Sequence, residues 1–134
     1  AMKKIQSQST SNPASISQAA AQAALDGDQG CVGEMVKAFK ERHDYVVDAL
    51  NKLPGVTCAP SDGTFYAFPD FSGAIAEMDG VESCTDLAAQ LLETAEVALV
   101  PGSAFGAPGC MRLSFATSME ILEEAIARLK KVLV

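Results

Sequence analysis

Arg112 is the residue of this chain with the clearest chemical use. It stands in the stretch PGSAFGAPGCMRLSFA, residues 101–116, between a glycine-rich loop and an apolar run. Strand alternation sends Arg112, Ser114 and Ala116 to one face and Met111, Leu113 and Phe115 to the other. A guanidinium is expensive to bury without a counter-charge. Either a carboxylate of the protein meets it, such as Asp62, Asp70 or Glu120, or a ligand does. A rigid strand suits the second use, because arginine grips a carboxylate through two parallel N–H bonds. From pattern alone both readings stand.

The loop before Arg112 carries Gly102, Gly106 and Gly109. It is not a P-loop, since no lysine is present and a strand rather than a helix follows. The glycines either allow a tight turn with positive φ or let a substrate come close to the strand. The segment GTFYAF, residues 63–68, puts Phe65 and Ala67 on one face and Tyr66 and Phe68 on the other. Core packing is the default for these rings. The alternative is that Phe65 and Tyr66, with Gly102, line a ligand pocket.

Other chemistries find no support. His43 is the single histidine, with no nucleophile at a matched position and a place on an apolar helix stripe, so it reads as a packing residue. No cluster has metal-ligand spacing. Lysines lie at the two ends and along exposed helix faces (Lys37, Lys40, Lys52, Lys130, Lys131), none placed to be desolvated and nucleophilic. The four cysteines, Cys31, Cys58, Cys84 and Cys110, are about 26 residues apart without a CxxC, and read as buried free thiols of a cytosolic protein.

The elements that must position Arg112 follow from periodicity. Residues 3–11 read as an extended lead-in. Asn12-Pro13 then looks like a helix start, with Asn12 as N-cap and an Ala-rich helix to about Leu25. A long helix is expected from about Gln29 to Lys52, its stripe formed by Val32, Val36, Phe39, His43, Val46, Leu50 and Leu53. VTCAP and TFYAFPD read as two strands around an SDG hairpin turn. A helical turn is placed near 74–78 and a helix from about Thr85 to Ala95. VALVP reads as a third strand, central because its apolar character is continuous. CMRLSFA is the fourth, and Thr117 to Glu120 form a capping box for a last helix carrying Leu122, Ile126, Leu129 and Leu133. The fold class is α+β: a small, mainly antiparallel or mixed sheet of about four strands with helices packed on one side.

The chain has 134 residues, 49% of them hydrophobic, enough for one domain with a real core. A net charge of −7 argues against a nucleic-acid partner. No apolar run is long enough for a membrane span, and no signal peptide is visible. The leading Ala1-Met2 reads as a tag remnant, so the rest, 3–134, is expected to be a piece of a longer protein.

Three stretches carry a family resemblance. VALVPGSAFGAPGCMRLSFATSMEILEEAIARL resembles the C-terminal end of class I aminotransferases, the fold-type I enzymes that use pyridoxal 5′-phosphate. Their pattern V-x-x-x-P-G-x-x-F-G, a gap, then R-[LI]-S-[FY]-A is complete from Val97 to Ala116. GTFYAF matches their G-x-F-Y segment. QSQSTSNPASISQAAAQAAL is similar to the bacterial aspartate aminotransferase subgroup. The resemblance spans nearly the whole chain and implies an aminotransferase small domain.

It also implies roles. Arg112 would bind the α-carboxylate of an amino-acid or 2-oxo-acid substrate, and the glycine loop would let the small domain close over it. The family's Schiff-base lysine, the Asp partner of the pyridine nitrogen and most phosphate-binding residues lie in a large domain upstream. By resemblance, then, no catalytic or cofactor-binding residue falls within this chain, and it should not transaminate alone. The helix at 12–28 would link to or touch that large domain, and the parent would be a cytoplasmic homodimer. One branch of aspartate aminotransferases has an arginine five residues before the Ser-Asn-Pro asparagine, gripping the distal carboxylate; the matching position here is Ser7. Aspartate stays first among substrates, with prephenate-type, other dicarboxylic and aromatic ones open. The rival reading is a free-standing ligand-binding or interaction module with Arg112 in a structural ion pair.

Overall fold

The structure, a computed structural model, describes residues 1–133. The chain divides into two compact units, Ala1–Met35 and the residues from Val36 onward. The boundary falls inside one helix.

The first unit is helical. Helix α1 spans Met2–Ser9, where an extended lead-in is expected. Lys and Gln are good helix formers, and the serines turn their hydroxyls back onto the helix. Ser7 Oγ donates to Lys4 O at 2.9 Å and Ser9 Oγ to Ile5 O at 3.0 Å. Helix α2 spans Ser15–Asp26 with Ala14 at its N-cap. Asn12 is therefore not the cap and Pro13 lies ahead of the first turn. Gln18 reaches back instead, its Nε2 donating to Pro13 O at 2.9 Å. Neither helix buries a residue. Helix α3, Gly30–Leu50, begins in this unit and ends in the next.

In the second unit the α3 stripe is buried only toward its end. Val46 and Leu50 are buried and Leu53 just beyond them, whereas Val32 and Val36 are exposed. The order continues with β1 (Tyr66–Ala67), α4 (Ser72–Glu77), α5 (Cys84–Ala95), β2 (Val100–Pro101), a 3-10 turn (Gly102–Phe105), β3 (Met111–Ser114) and α6 (Met119–Leu133). The sheet has three strands in the order β1-β3-β2, both pairings antiparallel. This is the expected α+β class with one strand fewer. VTCAP contributes only an isolated bridge, Thr57 to Asp70. Pairings of Tyr66 with Ser114, Ala67 with Leu113 and Asp70 with Cys110 share one register, which sets Phe68 across from Arg112.

The strand expected at the centre is at the edge. VALVP alternates after all, with Val97 and Leu99 buried and Val100 exposed. Its outward positions are themselves apolar, so the alternation is invisible in the sequence. The central strand is β3, the one bearing Arg112. Its inward residues Met111 and Leu113, with Phe115, are buried against α5, α6 and the end of α3 in a single core. Helix α6 buries Leu122 and Leu129. Its capping residue is Ser118, one position after the expected Thr117: Ser118 Oγ accepts from Ile121 N at 3.4 Å.

Candidate functional site: a guanidinium on the open face of the sheet

Because Met111 and Leu113 must face the core, Arg112 is forced onto the opposite face of β3, where it is half-buried. Val100 of β2 is its cross-strand partner. Two rings contact the guanidinium. Its Cζ lies 4.4 Å from the centroid of Tyr66 and 5.0 Å from that of Phe105. Such cation–π contacts favour the charged group without a carboxylate. Phe105 is braced edge-on by Phe68 at 6.0 Å, and Tyr66 lies 4.3 Å from Phe65. Phe68 and Phe105 are themselves exposed.

The ion pairs among the described residues join Lys40 to Asp44, Lys52 to Asp48, and Arg128 to Glu96 and Glu124. Arg112 is in none of them. Two of the acids weighed for it have other company. Asp70 Oδ1 accepts from Ser72 N at 2.8 Å, and the Ser72 hydroxyl and N–H together hold its carboxyl below the usual range. Glu120 is likewise lowered, first by the Ser118 side chain and then by its own backbone N–H.

The glycine loop is built by close backbone approach. Gly102 is buried; its N–H donates to Cys110 O at 2.7 Å and its carbonyl accepts from Ala107 N at 3.0 Å. A Cβ there would strike the carbonyl oxygens of Ala107 and Cys110. Gly109 needs a left-handed backbone, with φ of +91°, and a Cβ on it would run into Ser72. Beneath the loop, Cys84 opens α5. Burial pushes its thiol up, but N–H groups of Gly109, Ser103 and Gly102 with the Ser103 hydroxyl outweigh this, and it titrates below its ordinary value.

Of the possible pocket-lining residues, the structure brings Tyr66 to Arg112. Phe65 leans toward α3 instead, 6.5 Å from Phe39, and Gly102 forms the floor of the loop. Phe105 escaped sequence reasoning. Its signal was an aromatic in the middle of an otherwise small-residue loop. The expectation that all four cysteines are buried needs correcting, because Cys31 is exposed and Cys110 half-buried; all four are free thiols. Two surface clefts of about 270 Å³, one beside Gly55 and Glu77 and one beside Glu96 and Arg128, do not include Arg112. Among the described residues no helix is long and apolar enough to cross a membrane.

A guanidinium held this way on a sheet's open face, beside a glycine loop, has the chemistry to take a carboxylate. Residues 1–129 match the family described as aminotransferase class I and II, and the chain belongs to that family. It is 52% identical to the aspartate/prephenate aminotransferase of Nitrosomonas europaea, covering 99% of this chain and 35% of that protein. It is 48% identical to the aspartate aminotransferase of Geobacillus stearothermophilus, covering 98% of this chain and 33% of the relative. Among solved structures, the aspartate aminotransferase of Rhizobium meliloti superposes with a TM-score of 0.89 at 42% identity, covering 98% of this chain and 34% of that one. The chain therefore spans about a third of the length of the relatives it matches.

Class I aminotransferases depend on pyridoxal 5′-phosphate. Its aldehyde needs a desolvated amine. The lysines among the described residues are all exposed, and Lys40 and Lys52 are paired with Asp44 and Asp48. These residues do not by themselves make a seat for the cofactor.

Proposed function

We propose that this chain is the C-terminal small domain of a pyridoxal-phosphate-dependent aminotransferase, and that Arg112 binds the α-carboxylate of its amino-acid substrate. The observation that carries the reading is the Arg112 guanidinium, held between two rings on the open face and in no ion pair among the described residues. A carboxylate landing there would be fixed at two points by charge-assisted hydrogen bonds. That fixation orients the bond to be broken, and orientation of this kind contributes several kcal/mol to lowering a barrier.

Aspartate is the favoured amino donor, from the names of the relatives and from the QSQSTSNP segment. Ser7 sits inside α1 and donates to Lys4 O, so a second substrate carboxylate is met elsewhere. The chain works with a large domain of the same polypeptide and a second subunit, and is inactive alone.

The test uses the longer protein loaded with cofactor. Aspartate and 2-oxoglutarate are supplied and oxaloacetate release is followed. Arg112→Ala should raise the KM for aspartate about a hundredfold or more, as expected for removing one partner of a desolvated charge pair. An unchanged KM would remove Arg112 from the site, and turnover by the 134-residue chain alone would overturn the small-domain reading.

A further inference from the structure

We propose that Tyr66 and Phe105 are positioning residues, which hold the Arg112 guanidinium ready for a carboxylate without occupying its hydrogen-bond donors. The proposal rests on Arg112 being the carboxylate anchor. An arginine side chain is long and loses considerable rotamer freedom when a ligand orders it. A neighbouring carboxylate could order it in advance, but would fill the same N–H fork that the substrate needs. An aromatic ring takes the flat face of the guanidinium and leaves the N–H edge open. The two rings come from separate elements, Tyr66 from β1 and Phe105 from the 3-10 turn, with Cζ 4.4 and 5.0 Å from their centroids. Each ring has its own support. Phe68 meets Phe105 edge-on, and Phe65 lies against Tyr66. The arrangement is the one that keeps a cation ordered and unpaired.

The test is a double-mutant cycle in the longer, cofactor-loaded protein. Succinate is the non-reacting dicarboxylate probe, its Kd read by calorimetry, beside KM and kcat for aspartate. Tyr66→Leu and Phe105→Leu should each weaken succinate and raise KM by about two- to thirtyfold, with kcat changed far less. Tyr66→Phe keeps the ring and should stay within about twofold of the parent. In an Arg112→Ala background the ring substitutions should have no further effect, since there is no guanidinium left to position. Equal losses with and without Arg112 would overturn the proposal while leaving Arg112 as anchor. If Arg112→Ala alone leaves succinate binding untouched, the anchor reading itself fails. Phe105 is exposed in its loop, so its substitution keeps the test valid should Tyr66→Leu not fold.

Discussion

Helices α2 and α5 are each 12 residues long and both are rich in alanine, yet they meet opposite fates. Helix α5 buries Cys84, Leu87, Ala88, Leu91 and Ala95; α2 buries nothing. The ends differ as sharply as the faces. Ser83 caps α5 through a bond from Asp86 N, and Glu96 closes it in the left-handed conformation. No side chain caps α2 at Ala14. A short helix gains little from propensity and most of its stability from a packed face. Helix α5 has that face inside the unit that carries Arg112. In α2 the apolar positions Ile16 and Leu25 are each 79% exposed.

The contrast can be broken most severely at Leu91, which is fully buried between the sheet and α6. Leu91→Ala should cost about 2–5 kcal/mol, while Ile16→Ala should stay within about 0.5 kcal/mol. Urea unfolding followed by circular dichroism reads both, as the chain has no tryptophan. Similar losses from the two would show that α2 is as firmly packed as α5. Ser83→Ala comes next. Losing the cap should cost about 1 kcal/mol and leave α2 untouched. The smallest effect concerns acid. Ser72 lowers the carboxyl of Asp70 in the folded state, so its contribution is complete above the unfolded carboxylate pKa and drains as pH falls through the folded one. Asp70→Asn should therefore flatten the acid limb of the stability profile, and an unaltered limb would assign the acid sensitivity elsewhere.

Local pattern was enough wherever inward and outward residues differ in kind. On β3, Arg112 and Ser114 alternate with Met111 and Leu113, and the structure repeats that division. On α6 the leucines mark the buried face. Pattern failed where both faces are apolar, as with Val97 to Val100, and the edge strand was placed at the centre. It also failed for α1, where polar residues satisfy a helix by bonding back to it. Of the candidate site, the strand positions of Arg112 and Tyr66 were legible from alternation. Phe105 was not, because its approach to Arg112 depends on how a loop folds over, which no periodicity records.

His43 appeared in the sequence as a packing residue, and its bonds give it a mechanical part. Its Nε2 accepts from the Ser61 N–H at 3.0 Å, so the ring's proton is on Nδ1, which donates to Asp44. Ser61 Oγ donates in turn to Gly63 O, three residues before β1 begins. The turn leading into Tyr66 is thus riveted to the well-packed end of α3. The ring that lies on Arg112 is tied, through one backbone bond to an imidazole, to a helix some twenty residues upstream in the chain.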